Sequence, residues 1–498
     1  MTATVARVTL APGLEISRVV TGLWQVADME RGGTPIDPER GADALFAYAR
    51  AGLDSFDMAD HYGSAELIAG RFLARVRAGE PAGRHRPTVF TKWCPEPGPM
   101  TAQTVREGVQ RALDRLGVDC VDLLQLHWWR FDHLAWLDAL QGLAQLQQDG
   151  RIRALGVTNF DTDHLRVLVK HGIGVAANQV SFSLLDRRAA AEMSAFCLAH
   201  DVRLLAYGTL AGGFLSQRWL RQPPPAAGQI ADWSKMKYQR FIAEIGGWAV
   251  LQQVLEALER VARRHDSTIA SVATRWVLDQ AAVAAVIIGA RLGESEHRAD
   301  SQDLFALALD DEDRAVLAEA VAGVPPIPGD CGDEYRRPPF LTASGDLSHH
   351  LDQVPTFYIA SAVPARPQRR RVESGSVWEG LAGYSRAVRV GETIQVSGTT
   401  ATAGAGEVVC RGDAAGQTVF ILDKIAASLA ALGGSLQDVV RTRIYLQNVE
   451  DWEAVSRVHG RVFADTRPAN TLIAISRLVG EYLVEIEAEA VVEPTAPG

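Results

Sequence analysis

Short apolar runs alternate with amphipathic segments of helical period along residues 1–320. The apolar runs predict strands, and the segments that follow them predict helices. Eight such strand-then-helix units predict a parallel sheet with right-handed crossovers, and their number favours a (β/α)8 barrel, the TIM barrel of the α/β class. The predicted strands cover residues 19–23, 55–58, 88–92, 121–127, 152–158, 174–180, 202–207 and 284–288.

A doubly wound open sheet is the alternative for the same pattern. Such a sheet usually carries a Gly-rich phosphate-binding turn after its first strand. Here the first strand leads into Gly22-Leu23-Trp24-Gln25, which contains no GxGxxG. We therefore expect a barrel domain over residues 1–323.

The regular pattern stops at about residue 324 and a different one begins near residue 372. Repeated prolines interrupt residues 324–371, which predicts a barrel tail followed by a linker, with the basic run Arg369-Arg370-Arg371 in solvent. Residues 372–498 alternate as a hairpin and then give the order β-β-α-β-α-β-β. That order predicts a separate, small α+β domain.

Composition narrows the class of function. The chain has 498 residues, of which 47% are hydrophobic and 22% charged, as in a soluble globular protein. A formal net charge of −10 argues against a nucleic-acid surface. The longest apolar run, residues 281–288, is far shorter than the ~20 residues that span a bilayer. Five scattered cysteines without ligand spacing predict reduced thiols in a cytoplasmic protein, and no metal site.

Polar residues that suit proton transfer follow three consecutive predicted strands. Asp57 and Tyr62 come after the second strand, Lys92 ends the third and His127 ends the fourth. In a barrel these strand ends form the active-site face. Hydride addition to a carbonyl carbon leaves charge on the oxygen, which a phenol can protonate when an ammonium lowers its pKa. We expect Lys92 to act in this way on Tyr62, Asp57 to hold Lys92, and His127 to orient the carbonyl oxygen.

Each of these residues also has a purely structural interpretation. Lys92 could pair with any carboxylate, His127 could be a core histidine, and Asp57 could cap a turn. Their arrival together on three consecutive strand ends favours the catalytic interpretation. Four tryptophans also fall near the predicted carboxyl ends of the barrel strands. They form either an aromatic substrate pocket or packing at the rim of the barrel. These are Trp24, Trp93, Trp128 and Trp129.

Residues 1–320 resemble the aldo-keto reductases. The resemblance is carried, in order along the chain, by Gly22-Leu23-Trp24-Gln25, Asp57-x-Ala59-x-x-Tyr62-Gly63, Thr91-Lys92, Leu126-His127, Gly156-Val157-Thr158-Asn159-Phe160, Asn178-Gln179-Val180 and Ser183-Leu184-Leu185-Asp186-Arg187. It implies an NAD(P)-dependent oxidoreductase acting on an aldehyde, ketone or sugar. Asp57, Tyr62, Lys92 and His127 then stand at the positions of the family's catalytic tetrad.

The same resemblance implies a cofactor site. Thr158, Asn159 and Gln179 would hold the nicotinamide carboxamide, and Tyr207 would stack on the ring. The adenosine-phosphate loop would be Gly289-Ala290-Arg291. Arg291 suits a 2′-phosphate, which favours NADP(H) over NAD(H). The chain has Arg298-Ala299 where the family often has Glu-Asn.

Residues 380–493 resemble the Rid (YjgF-type) family of small trimeric proteins, whose fold is a chorismate-mutase-like sandwich. The matching stretches include Val396-Ser397-Gly398-Thr399-Thr400, Arg467-Pro468-Ala469-Asn470-Thr471 and Val484-Glu485-Ile486-Glu487-Ala488. The resemblance implies a cleft that includes Tyr384, Ser397, Asn470 and Glu485. Deaminases of the family have an arginine where this chain has Asn470, so we expect no ordinary imine deaminase activity.

The sequence therefore predicts an oxidoreductase for a small carbonyl or alcohol, with a Rid-like domain that makes it a homo-oligomer, most simply a trimer. One alternative is a bifunctional enzyme for imine or enamine metabolites. Another is a Rid-like domain that serves only as a trimerisation or ligand-binding module. The sequence does not identify the substrate.

Overall fold

The computed structural model describes residues 4–26, 34–226, 228–230, 233–292, 297–336, 355–404 and 406–493. Within these ranges the first part of the chain forms a hairpin, eight further strands and eleven helices. These elements are β1 (Arg7–Ala11), β2 (Leu14–Ser17), β3 (Val19–Gly22), α1 (Pro38–Arg50), β4 (Ser55–Asp57), α2 (Ala65–Arg77), β5 (Thr88–Trp93), α3 (Ala102–Leu116), β6 (Val121–His127), α4 (Ala135–Gln148), β7 (Ile152–Thr158), α5 (Thr162–Lys170), β8 (Ala177–Ser181), α6 (Glu192–Ala199), β9 (Arg203–Tyr207), α7 (Trp233–Glu244), α8 (Trp248–Arg264), α9 (Ile269–Leu278), β10 (Val283–Gly289), α10 (Arg298–Asp303) and α11 (Asp311–Val321).

Eight parallel strands close into a barrel in the order β10-β3-β4-β5-β6-β7-β8-β9. This confirms the predicted (β/α)8 fold. The interior is filled by side chains such as Val20, Phe90 and Leu123, and the antiparallel pair β1–β2 packs Leu14 and Ile16 against them. The hairpin therefore extends the barrel core, whereas the opposite, carboxyl ends of the strands stay open for a site.

Local capping explains why the helices begin and end where they do. For α3, the Thr101 hydroxyl accepts from the Thr104 amide at the amino end. At the carboxyl end Gly117 adopts a left-handed φ of 61°, which closes the helix at little steric cost. Side chains that cap backbone donors in this way fix the lengths of the βα connections and hence the positions of the strand ends.

The tail after the barrel returns to the open end. A short 3-10 helix, Asp333–Tyr335, follows α11. Arg188 forms ion pairs with Asp186 and with Glu334 of this turn, each at 2.7 Å. Tyr335 is thereby held over the carboxyl ends of the strands.

The second domain is built on a seven-stranded sheet. Its order is β11-β12-β13-β14-β19-β17-β18, and all neighbours are antiparallel except β17 and β18. Helices α13 and α14 pack together, and α13 lies against β14 and β19. Its elements are β11 (Ala360–Val363), β12 (Arg366–Val372), α12 (Val377–Ala382), β13 (Ala387–Val390), β14 (Thr393–Thr399), β15 (Thr402–Ala403), β16 (Glu407–Val408), α13 (Ala414–Ala431), β17 (Val439–Leu446), α14 (Trp452–Val462), β18 (Ala469–Ala474) and β19 (Val484–Val491).

The prediction of a linker up to residue 371 is wrong at its carboxyl end. Arg369, Arg370 and Arg371 lie in β12 and pair with β13. Pro367, which suggested a linker, falls where the β11–β12 register shifts, so its missing N–H costs no regular ladder bond. The β11–β12 hairpin thus belongs to the sheet of the second domain, and residues 337–354 lie outside the described residues.

The two domains pack through α5 of the barrel and α13 of the second domain. His164 is buried between Asp161 and Asp423, with distances of 2.7 Å from Nδ1 to Asp161 Oδ1 and 3.1 Å from Nε2 to Asp423 Oδ2. Although burial opposes the charged form, the two carboxylates raise the pKa of His164 to about 9. Burial in turn raises the pKa of Asp423 to about 6. An ionic contact therefore joins the domains.

Within the described residues, helix α13 alone is long and apolar enough to meet the criteria for a membrane span. It is 78% buried inside the protein, between its own sheet and α5 of the barrel. Its apolar character is therefore accounted for by packing as a core helix.

Candidate active site

A cavity of about 510 Å³ lies at the carboxyl ends of the barrel strands. Most of the residues predicted for the catalytic and cofactor sites line it, together with one residue of the predicted substrate pocket, Trp24. They are Trp24, Asp57, Tyr62, Lys92, His127, Thr158, Asn159, Gln179, Tyr207 and Gly289.

Strand pairing explains why three of the four proposed catalytic groups converge. Asp57 ends β4, Lys92 lies near the end of β5, and His127 ends β6, on three neighbouring strands. Just beyond the end of β4, the backbone N–H of Asp60 still pairs with β5 by donating to the carbonyl of Lys92 at 3.0 Å. The following turn brings Tyr62 back over the strand ends, with its amide bonded to the Ala59 carbonyl at 3.1 Å.

Asp57 and Lys92 form a buried ion pair. Lys92 Nζ donates to Asp57 Oδ2 at 2.6 Å and to the Met58 carbonyl at 3.0 Å. The second carboxylate oxygen of Asp57 accepts from Gln125 Nε2 at 3.1 Å and Gln179 Nε2 at 2.8 Å. A buried charge pair persists when its remaining polar atoms are hydrogen-bonded, and here both oxygens are. The pair fixes the ammonium under the cavity.

Tyr62 lies close to this ammonium. Lys92 Nζ is 5.1 Å from the centroid of the Tyr62 ring, and the Trp24 ring meets Tyr62 edge-on at 4.9 Å. Burial, with the charge of Asp57 adding to it, raises the pKa of Tyr62 well above its ordinary value. The expectation that Lys92 would give Tyr62 a lowered pKa is therefore not met, because burial of the ring and the charge of Asp57 both act in the opposite direction. The phenol is held in its protonated form.

His127 is held neutral at the opposite wall. Burial lowers its pKa well below the ordinary value, and the charges of His61 and Arg336 act in the same direction. Its Nδ1 lies 3.5 Å from the sulfur of Cys94. Nε2 is buried and has no hydrogen-bond partner within the described residues. A thiol that donates to Nδ1 leaves the proton on Nε2, which makes that nitrogen a donor for a substrate oxygen.

The residues predicted to bind the nicotinamide lie at the cavity, but several of their polar atoms are already hydrogen-bonded within the protein. Asn159 takes a left-handed φ of 57°, and its Oδ1 accepts from the Tyr207 hydroxyl at 2.8 Å. Thr158 Oγ1 donates to the Gln179 carbonyl at 3.0 Å. Gln179 uses its amide nitrogen on Asp57 rather than presenting it to the cavity.

The cavity nonetheless fits a nicotinamide nucleotide. It offers the side-chain amide of Asn159 and, with the nitrogen of Gln179 bonded to Asp57, the side-chain oxygen of Gln179. The buried Oε1 of Gln25 has no partner among the described residues. A carboxamide needs both donors and acceptors, and these groups supply them. At Gly289 a side chain would meet the amide of Gln25, so glycine at this position lets Gln25 keep its place at the rim.

The predicted adenosine-phosphate loop lies at the edge of the same cavity. Gly289 lines it, Ala290 is buried behind it, and Arg291 is exposed to solvent. His297 and Asp300 line the cavity farther along the chain. Residues 293–296 lie outside the described residues.

Of the three tryptophans predicted to line a substrate pocket, Trp24 lines the cavity, whereas Trp93 and Trp128 do not, so the prediction is wrong for these two. Lys92 points into the barrel, so Trp93, the next residue of β5, points outward and packs on Gly108 of α3. Trp128 lies just past β6 and donates to the Arg130 carbonyl at 2.9 Å. Neither lines the cavity. Trp129 contacts the site indirectly, with its ring 4.4 Å from that of His127.

Three residues in or directly behind the cavity wall carried no assignment in the sequence analysis. Gln125 bonds to Asp57, and its period-two spacing before His127 was the signal that could have identified it. The Tyr335 hydroxyl lies 3.1 Å from that of Tyr207 and 2.9 Å from Lys237 Nζ. Neither Tyr335, in the irregular tail, nor Lys237, on α7, carried any pattern that pointed to the barrel mouth.

Among the residues that the structure describes, one group of potential metal ligands lies beside the site. The ligand atoms of Asp60, His61 and Cys94 lie within 4.8 Å of one another. Asp60 already accepts from the Cys94 amide at 3.1 Å and lies 3.1 Å from His61 Nδ1. Hydrogen bonding within the group accounts for its arrangement.

The predicted Rid-like cleft is only partly assembled. Tyr384, Ser397 and Glu485 line a second cavity of about 520 Å³. Asn470 does not line it. Its Nδ2 instead donates to Thr442 Oγ1 at 2.9 Å. Within a single chain the structure therefore brings three of the four predicted residues together, and Asn470 lies apart from them.

Comparison with known proteins identifies both parts of the chain. The model of the "Aldo/keto reductase family" matches residues 18–322, and that of "Endoribonuclease L-PSP" matches residues 375–492. These matches confirm the two resemblances drawn from the sequence.

Individual proteins are similar to one part of the chain or the other. An Escherichia coli protein named NADH-specific methylglyoxal reductase is 24% identical over 322 residues, covering 61% of this chain and 95% of its own length. The solved glycerol dehydrogenase of Gluconobacter oxydans is 25% identical, with a TM-score of 0.51, over 66% of this chain and 97% of its own. A Mycobacterium tuberculosis member of the YjgF/YER057c/UK114 family is 42% identical over 25% of this chain and 99% of its own, with a TM-score of 0.23.

Proposed function

Because the chain belongs to the aldo/keto reductase family, we propose that it is an oxidoreductase that interconverts a small aldehyde, ketone or sugar and its alcohol, with Tyr62 as the proton donor and acceptor. The observation that carries the proposal is the shared cavity of Asp57, Tyr62, Lys92 and His127. When bound, the nicotinamide cofactor that the family uses supplies or accepts the hydride.

Tyr62 supplies the proton in the direction of reduction. Its raised pKa keeps the phenol protonated until charge develops on the carbonyl oxygen. The phenolate left behind is favoured by the Lys92 ammonium, 5.1 Å from the ring. Asp57 keeps that ammonium in place through the 2.6 Å ion pair.

His127 orients the substrate. Its neutral ring presents the unpartnered Nε2 to the cavity, where an N–H donor would bond to the carbonyl oxygen. A donor fixed before the reaction begins needs no reorganisation when the oxygen gains charge. Trp24 packs edge-on against Tyr62 and limits how the substrate approaches it.

Asn159 and Gln179 are proposed to hold the carboxamide and Tyr207 to stack on the ring of the cofactor. We propose NADP(H) rather than NAD(H), because the exposed Arg291 follows Gly289 at the rim of the cavity and a guanidinium suits a 2′-phosphate. The Escherichia coli relative carries NADH-specific in its name, so the preference needs a direct measurement.

The first test is a screen for turnover. The full chain is mixed with NADPH or NADH and a panel of aldehydes, ketones and sugars that includes methylglyoxal and glyceraldehyde, two three-carbon carbonyls suggested by the names of the relatives. We expect cofactor oxidation and, with a cofactor deuterated at nicotinamide C4, a product that gains one deuterium. A chain that binds the cofactor but oxidises it with no member of the panel would overturn the proposal.

For residues 375–492 we propose an assembly role without ordinary imine deaminase activity. Asn470 stands where a deaminase would have a carboxylate-binding arginine, and its amide is occupied by Thr442. The outer strand β18 is exposed along five of its six residues. An uncovered edge strand with exposed apolar side chains suits contact with further copies of the chain.

A further inference from the structure

The second cavity lies between the two domains and is separate from the cavity around Tyr62. One wall is α4 of the barrel, through Leu134, Leu137 and Asp138. The other walls come from the second domain and from Phe357 and Tyr358, which precede β11. At about 520 Å³ it is large enough for a small organic molecule.

A buried lysine forms part of the wall. Lys424 of α13 is 5% exposed, and its Nζ donates to the carbonyls of Thr400 at 3.0 Å and Thr402 at 2.8 Å. Both threonines line the same cavity. A neutral amine has two N–H donors and one lone pair, so these two bonds can satisfy both donors and leave the lone pair for an electrophile.

The surroundings of Lys424 favour its neutral form. Burial lowers the pKa of this amine to about 7, the charge of Arg386 acts in the same direction, and Glu379 of α12 opposes it. The other charged groups of the cavity are Asp138 on α4 and Glu485 on β19. At neutral pH a large fraction of the amine is therefore a nucleophile, which an ordinary surface lysine is not.

Arg386 supplies a donor that the fold leaves unused. It is 4% exposed, and Nη2 donates to the Gly398 carbonyl at 2.5 Å. Its Nε is buried with no hydrogen-bond partner within the described residues, although the residue lines the cavity. An unsatisfied buried donor destabilises the fold, and a ligand oxygen that accepts from it would remove that cost.

We propose that this cavity binds a small aldehyde or ketone and that Lys424 captures it as a Schiff base. The amine nitrogen adds to the carbonyl carbon, and the carbonyl oxygen, held by Arg386 Nε–H, takes a proton to give a carbinolamine. The C–O bond then breaks, nitrogen loses its remaining proton, and one water leaves with no change in oxidation state. Glu485, whose pKa is raised by burial, can lend and recover the proton.

The lysine content makes the proposal easy to test. Lys170 is exposed at the end of α5, Lys92 is paired with Asp57, and Lys237 is paired with Glu334. Lys424 is the only lysine beyond residue 237. All the lysines of the chain are Lys92, Lys170, Lys235, Lys237 and Lys424.

The experiment traps the imine by reduction. The full chain is incubated at pH 7 with propionaldehyde and cyanoborohydride, without nicotinamide cofactor, and the adducts are located by peptide mass mapping. We expect at least tenfold more adduct on Lys424 than on Lys170. Lys424→Met should remove that adduct and Lys170→Arg should leave it unchanged.

Two outcomes would overturn the proposal. One is an unmodified Lys424 in a wild-type chain whose exposed lysines are alkylated, which would make it a structural lysine that only holds Thr400 and Thr402. The other is an unchanged total of adduct in Lys424→Met. The positions of the adducts in the wild-type chain test the proposal even if Lys424→Met does not fold. Because trapping is read without cofactor, its failure is independent of the turnover at Tyr62.

Discussion

Residue by residue, the proposed catalytic groups were the most predictable part of the site. Asp57, Lys92 and His127 each end a buried apolar run, and the ends of consecutive parallel strands must meet. The sequence did not show which hydrogen-bond partner each of these side chains has. Gln179 was expected at the nicotinamide, but a hydrogen bond to Asp57 depends on side-chain packing across the barrel, which no local pattern encodes.

Ignoring strand parity produced the error at the tryptophans. Lys92 and Trp93 are adjacent in β5, so they point to opposite sides, and an inward Lys92 requires an outward Trp93. The error in the predicted pKa of Tyr62 has a different cause. The sequence placed both Lys92 and Asp57 close to Tyr62, but it did not show how far burial of the ring would raise the pKa of the phenol.

The first prediction concerns Arg291. Arg291→Ala should raise KM for NADPH about tenfold or more and leave KM for NADH within twofold, because a charge-assisted bond to a 2′-phosphate contributes about 1.5–3 kcal/mol. Steady-state kinetics with both cofactors measures this. Arg106→Ala, at an exposed position of α3, is the matched control. Equal effects on both cofactors would refute a role in phosphate recognition.

Among the elements, those with strong periodicity were predicted well and those with prolines were not. The barrel strands and α13 match the sequence pattern closely. The β11–β12 hairpin was interpreted as part of a linker because Pro364 and Pro367 break the alternation. The structure accommodates Pro367 at a register shift, a tertiary solution that local rules do not anticipate.

The second prediction concerns the contact between α5 and α13. The pKa of His164 is about 9 when folded and about 6.5 in the unfolded chain, so its stabilisation is complete below pH 6.5 and is lost as pH rises through 9. Asp423 has the same pH dependence at lower pH. Because burial raises its pKa to about 6, its protonated form stabilises the folded state, and this stabilisation is lost as pH rises through 6. The other charged groups that act on this contact are Asp163, Arg461, Arg336, Asp132 and Asp330.

The expected loss is about 3 kcal/mol of unfolding free energy between pH 6.5 and 9. It is measured by denaturant unfolding of the wild type and of His164→Gln across this range. The variant should be less stable at pH 6.5 and should converge on the wild type at pH 9. His85→Gln, at an exposed position, should follow the wild type throughout. A constant gap between wild type and His164→Gln would contradict the assigned charge.

At the scale of the whole molecule, the chain joins two cavities with different chemistry. The barrel cavity holds the proposed proton donor Tyr62, and the interdomain cavity holds Lys424. The division into a barrel and an α+β domain was predictable from the change in pattern. The interface between them was not, since His164 and Asp423 are separated by 259 residues.

The third prediction is the oligomeric state. Val440 and Ile473 are 48% and 47% exposed on β17 and β18, and we expect them to be covered by further copies of the chain. Light scattering should give a particle of about three times the 53.9 kDa of one chain. Ile473→Asp should dissociate it, whereas Leu67→Asp, at an exposed position of α2, should not. A monomeric wild type would exclude the assembly role.

The most direct test of the account is the Tyr62→Phe variant, assayed with NADPH and the best carbonyl substrate of the wild type. The substitution removes one hydroxyl and keeps the ring that packs against Trp24. We predict that kcat/KM falls at least ~100-fold, as expected for loss of a general acid, while the Kd for NADPH stays within threefold of the wild type. Turnover equal to that of the wild type, with the cofactor bound equally well, would contradict the assignment of Tyr62 as the proton donor.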